Sequence, residues 1–168
     1  MKQEYSIWLM PSGSTFRKLS RLMKRLRDEH FTPIFEPHVT LTGEIQSPLE
    51  QTIAKTELLA SQLSTYKIML VEPDFEDDFY KSIFVNIIPT KDVTDANKAA
   101  QELFNQKYEY RPHLSLVYGY VPFDEKSKII SDLNCQVNLE FIATNLHLIS
   151  TPGRPETWKK IRKFRLKD

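Results

Sequence analysis

Apolar positions along the chain follow two rhythms that alternate. Residues 4–10 (EYSIWLM) form a short run of apolar and aromatic side chains, the pattern of a buried strand. Residues 14–30 then place Phe16, Leu19, Leu22, Met23 and Leu26 at three- and four-residue spacing with basic side chains between them. That spacing predicts an amphipathic helix, capped by Ser14 or Thr15, with His30 near its C-terminus, where a cation is favourable. A loop carrying Pro33 and Pro37 leads to a predicted strand over 38–45, and Ser47-Pro48 opens a second helix to about Leu63. Strands are predicted at 65–71 and 80–88, separated by the acidic stretch EPDFEDDF, which reads as a turn. A helix over 92–106 capped by Asp92, a strand over 113–120 and a short helix over 124–133 follow. The tail, 135–166, reads as two or three strands with a turn at Thr151-Pro152-Gly153, and His147 falls in a plain alternating strand pattern. No Gly- or Ser-rich linker interrupts the series, so residues 1–168 are expected to form one α+β domain.

Within this series one short pattern occurs twice. Residues 37–41 read Pro-His-Val-Thr-Leu and residues 112–116 read Pro-His-Leu-Ser-Leu, with Gly43 and Gly119 shortly after. In a strand, side chains two apart share a face. His38 and Thr40 therefore point one way while Val39 and Leu41 point the other, and the same holds for His113 and Ser115 against Leu114 and Leu116. If an approximate two-fold relates the halves, two imidazoles and two hydroxyls meet across a groove.

That set of groups suits phosphodiester cleavage. Histidine titrates near neutrality, so one ring can take a proton from an attacking water while the other gives one to the departing oxygen. Hydroxyls of Thr40 and Ser115 can hold the non-bridging oxygens as charge builds on them. The approximate symmetry leaves the acid and base roles interchangeable. A metal would need a third or fourth ligand, and neither H-x-x-x-H nor H-E-x-x-H spacing occurs, so no metal and no cofactor are expected.

Composition narrows the substrate. The 23 Lys and Arg side chains nearly balance 22 Asp and Glu, for a net charge of +1. That balance lacks the global electrostatic footprint of a duplex nucleic acid binder and leaves room for a small anion. Cys135 is the one cysteine, which rules out an internal disulfide and a Cys-rich zinc site; a small packing role in a strand is expected for it. The apolar run near the N-terminus is too short for a signal peptide or membrane span, so a cytoplasmic location without membrane contact is expected; a monomer is expected as well.

The two motifs resemble those of the 2H phosphoesterase superfamily, whose signature is a pair of His-x-Thr/Ser motifs. The chain is most similar to the plant and yeast type of cyclic nucleotide phosphodiesterase. The likeness runs through YSIWLMP at 5–11, FEPHVTLTG at 35–43, RPHLSLVYG at 111–119 and ETWKKI at 156–161. It implies a two-lobed α+β fold in which two antiparallel sheets form a central groove with helices outside. It also implies hydrolysis of ADP-ribose 1″,2″-cyclic phosphate and of nucleoside 2′,3′-cyclic phosphates, the latter giving 2′-phosphates. The partner would be such a small nucleotide; RNA ends and 2′,5′-linked oligonucleotides, substrates of other 2H branches, are the alternative, and a non-catalytic nucleotide- or RNA-binding module is a further one. The resemblance carries His38 and His113 over as catalytic, Thr40 and Ser115 as phosphate-binding, and Tyr118 and Tyr80 as aromatics lining the pocket. Trp8 and Trp158 are expected in the core. Plant members carry additional cysteines, so a redox-controlled loop of the plant kind is not expected here.

Overall fold

The structure, a computed structural model, describes residues 3–168 apart from the side chains of Asn134 and Cys135; the packing role expected for Cys135 lies outside the described residues. In chain order the regular elements are β1 (Tyr5–Leu9), α1 (Gly13–His30), β2 (Val39–Ile45), α2 (Leu49–Gln62), β3 (Tyr66–Asp74), β4 (Ile83–Ile87), α3 (Lys91–Phe104), β5 (His113–Val117), α4 (Phe123–Leu133), β6 (Glu140–Ala143), β7 (Asn145–Ser150) and β8 (Lys159–Arg165). Every predicted helix and strand has a counterpart, and the differences lie at the ends.

Several of these ends have a local physical cause. Helix α1 starts from Ser12, whose side chain makes no capping bond, while the Thr15 hydroxyl expected at the cap donates instead to the Glu140 carbonyl in β6 at 2.9 Å. Its other end closes on Phe31 in the left-handed conformation (φ 53°). Helix α3 is capped by Thr90, whose hydroxyl accepts from the Val93 amide at 3.4 Å; Asp92 sits in the first turn, where its charge favours the helix dipole. Strand β3 runs through Pro73 to Asp74 past a register shift, so the acidic turn is shorter than EPDFEDDF suggests. The Asp78 carboxylate then accepts from the amides of Tyr80 and Lys81 at 2.8 and 3.1 Å, folding Phe79–Lys81 into a 3-10 turn. Tyr80 therefore sits on a turn, and β4 begins three residues later than the expected strand. Residues Asn134–Val137 likewise form a 3-10 turn where a strand was expected to begin.

The eight strands are ordered β6-β3-β4-β5-β2-β1-β7-β8, and every named pair is antiparallel. The two sheets implied by the resemblance are thus two four-stranded halves of one sheet. They join at β2 and β5, where a single residue pair, Val39 with Leu114, is in register. Helices α1 and α4 pack on β5 and β3 of one half, and α2 and α3 pack on β7, β8 and β2 of the other. Val39, Leu41, Leu114 and Leu116 face these helices, and each is at most 2% exposed. The core therefore lies under the helices, and the opposite face of the seam is left for polar side chains.

Candidate active site

The seam pair determines which side chains meet. Residues directly opposite one another in a sheet share a face. Val39 and Leu114 are opposite on the core face, so their neighbours His38, Thr40, His113 and Ser115 all lie on the other face. His38 and Ser115 on one side of that pair, and Thr40 and His113 on the other, are the next residues outward along the two strands. Both imidazoles line the same groove, and His113 is near enough to act on the charge of His38. A groove of about 750 Å³ opens here, lined by all six residues singled out in the sequence: His38, Thr40, Tyr80, His113, Ser115 and Tyr118.

The two histidines are held in the same way. His38 Nδ1 lies 2.6 Å from the Glu36 carbonyl, and His113 Nδ1 lies 2.8 Å from the Arg111 carbonyl, each two residues upstream. A carbonyl oxygen only accepts, so each Nδ1 carries the proton and donates it, and each Nε2 is left with its lone pair toward the groove. His38 is further fixed by the Trp8 indole, stacked on it at 3.5 Å between centroids and 9° between planes. Its Nε2 lies 3.4 Å from the Tyr118 hydroxyl, and Tyr118 in turn stacks on Phe35 at 3.7 Å. His113 is more open, with the Phe84 ring edge-on at 5.4 Å.

Burial sets the charge state. The His38 imidazole, 4% exposed, is pushed down to about 3 because a charged ring there would lose its water; the nearby His113 adds to this and the Glu36 carbonyl opposes it. His113 is lowered for the same main reason, partly offset by the Arg111 carbonyl. Both rings are therefore neutral near pH 7 in the ligand-free groove. For His38 the folded-state value lies below the unfolded one. Its contribution to stability is present above pH 6.5 and is lost as pH falls toward 3, by up to about 1.4 kcal/mol per pH unit. The urea midpoint is expected to fall between pH 7 and 4.5, and to fall less in His38→Gln, which has no such proton to take up. Equal slopes in the two proteins would show that His38 does not carry the effect.

The hydroxyls differ from one another. Ser115 donates to the Tyr80 carbonyl at 2.7 Å, so its proton is engaged before any ligand arrives. Thr40 pairs across β1 with Trp8 and has its side chain on the groove wall. Burial pushes the phenols of Tyr118 and Tyr80 above their ordinary value, which keeps them protonated donors. Among the described residues, no group of three or more His, Cys, Asp or Glu side chains gathers as a metal site would require. The remaining histidines stand apart from the groove lining; His30 pairs with Glu125 at 3.3 Å.

Several lining residues were not legible as such in the sequence. Trp8 and Trp158, expected in the core, both face the groove. Trp8 is also nearly fully buried, packed with Met10 and Ile149, so its core reading is half right. Its run EYSIWLM has no polar alternation to betray a second occupied face. Lys81, Arg111, Tyr108 and Tyr110 are also among the lining residues, and they come from turns whose path the sequence pattern does not specify.

Fold and site together define the class of the 2H phosphoesterases. With a Thermus thermophilus protein of known crystal structure the chain shares a TM-score of 0.70 at 13% identity, covering 98% of each chain. With Escherichia coli LigT, crystallised with 3′-AMP, the TM-score is 0.64 at 14% identity over 100% of each chain. The family model described as cyclic phosphodiesterase-like protein matches residues 3–166, and the chain belongs to that family. It is similar to the cyclic phosphodiesterase of Arabidopsis thaliana, at 28% identity over 127 residues, 74% of this chain and 70% of that protein. The protein is a phosphodiesterase.

Proposed function

We propose that residues 1–168 act as one unit that opens a cyclic phosphodiester on a ribose, with His38 and His113 as a metal-independent acid–base pair. The substrates are ADP-ribose 1″,2″-cyclic phosphate or nucleoside 2′,3′-cyclic phosphates, and the product from the latter is the 2′-phosphate. The observation that carries this reading is the duplicated histidine arrangement: two rings held through Nδ1 by carbonyls two residues upstream, each offering Nε2 to one groove. A nucleotide-sized ligand is further supported by the crystal structures of LigT with 3′-AMP, ATP and NADP+.

In the reaction, one neutral imidazole takes a proton from a water in line with the ribose 3′ oxygen. The water oxygen bonds to phosphorus as the bond from phosphorus to the 3′ oxygen breaks. The other imidazole, protonated, gives its proton to the departing oxygen. Thr40 and Ser115 hold the non-bridging oxygens through the five-coordinate state. Ser115 must turn its proton from the Tyr80 carbonyl to do so. The negative phosphate returns to one ring the proton that burial has removed.

This makes a pH prediction with a sign. Both rings are lowered from 6.5, so the bell of kcat/KM, which reports the free enzyme, is expected to peak on the acid side of pH 6.5. The kcat profile, which reports the complex, lies at higher pH. EDTA leaves both profiles unchanged. Loss of activity in EDTA that zinc restores, or a flat profile, would overturn the two-histidine reading. A panel of ADP-ribose cyclic phosphate, 2′,3′-cyclic nucleotides and 2′,5′-linked oligomers, with product phosphate position read by NMR, selects the substrate. Preference for the oligomers would favour an RNA-end enzyme.

A further inference from the structure

We propose that the segment 106–110 is a strap that sets the distance between the two histidine motifs, with Tyr110 as its positioning residue. The inference rests on the two-histidine reading above and adds a residue to it.

The need for a strap follows from the seam. Strands β2 and β5 are in register at one pair only, Val39 with Leu114, so beyond it β5 offers β2 no further ladder. Buried backbone carbonyls left without donors are costly, and a seam of one pair is a weak hinge between the halves. Side chains supply the donors instead. The Tyr110 hydroxyl donates to the Thr40 carbonyl at 3.1 Å. Asn97 Nδ2, from α3, donates to the Leu41 carbonyl at 2.7 Å. Gln106 Nε2 donates to the Gly43 carbonyl at 2.7 Å. The Tyr108 hydroxyl bonds Thr42 Oγ1 at 3.1 Å, and its backbone is held at both ends by the Gln101 amide on α3. The carbonyls of Thr40, Leu41 and Gly43 and the hydroxyl of Thr42 are thus all tied to one short segment and the helix before it.

Tyr110 is singled out by what it joins. Its hydroxyl holds Thr40, a member of the first motif. The next residue, Arg111, supplies the carbonyl that holds His113 Nδ1 at 2.8 Å. One hydrogen bond and one peptide unit therefore connect the backbone of the first motif to the tautomer and direction of the second imidazole. Burial keeps the Tyr110 phenol protonated, so it stays a donor. Because the seam itself is a single pair, a loosened strap changes ring-to-ring spacing before it changes the core.

A double-mutant cycle tests this. Tyr110→Phe removes one hydroxyl and keeps the ring. On a 2′,3′-cyclic nucleotide it is expected to lower kcat about tenfold with KM nearly unchanged and to shift the pH–rate profile, while the thermal unfolding curve stays cooperative. In a His113→Ala background the same change is expected to cost less than twofold, because its effect passes through the His113 ring. Wild-type kcat and pH profile in Tyr110→Phe would overturn the proposal. So would a full tenfold further loss in the His113→Ala background, which marks a merely structural residue. The parent reading fails separately: there His38→Ala itself would remain active.

Discussion

Replacing His38 with alanine is expected to lower turnover of a cyclic phosphate by more than ~10²-fold, and replacing His113 likewise, the lower range for loss of a positioned general acid or base. The geometry explains why no neighbour would substitute. The Tyr118 hydroxyl is the polar group beside His38 Nε2, at 3.4 Å, and burial pushes its phenol far above the range where it exchanges protons at neutral pH. On the other side stands the Trp8 indole, with no base to offer. The double variant is expected to fall little further than either single one, since the two rings act on one transition state. Folding serves as the control. Removing a buried imidazole leaves a gap against Trp8 but also removes a group that is costly to charge, so both proteins are expected to unfold cooperatively in urea. Full activity in folded His38→Ala would leave the two-histidine mechanism without support.

The second large effect concerns stability. Leu114→Ala removes a fully buried side chain on the core face, directly opposite Val39 at the one pair that joins the two halves of the sheet. Loss of such a side chain costs about 2–5 kcal/mol, from lost transfer energy plus the cavity that remains. Leu70→Ala removes an equally buried side chain away from the seam, at 1% exposure in β3, and provides the comparison. Urea unfolding is expected to give similar stability losses for the two, with kcat falling in the folded Leu114→Ala protein and not in Leu70→Ala. Equal kcat losses would show that the seam has no special hold on the site.

The catalytic candidates were legible because their spacing is a property of one strand. Pro-His-x-hydroxyl-Leu puts the His and hydroxyl on one face whatever the strand packs against. Its repetition at 38 and 113 says that two strands do the same thing. Tyr118 was placed only by the resemblance, because strand alternation from His113 and Ser115 would turn position 118 to the other face. Tyr80 was harder. YKSIFVNII reads as one continuous strand, yet Asp78 caps Phe79–Lys81 into a turn, and that side-chain-to-backbone bond competes with the ladder locally. The helix caps missed at Ser14, Thr15 and Asp92 belong to the same class of error: one hydroxyl or carboxylate among several within reach is chosen by the tertiary surroundings.

By itself the amino-acid sequence determined the element series, the aliphatic core face of the two motif strands and the chemistry of the groups on their other face. Each of these follows from backbone periods of two and 3.6 residues and needs no partner. Tertiary structure alone decided that the two sheets are one, that they join at Val39 and Leu114, and that Trp8 lies flat on His38 while Tyr110 reaches Thr40. Those facts depend on strand register and on the path of turns. Such choices are made by contacts between residues far apart in the chain, about which local periodicity carries no information.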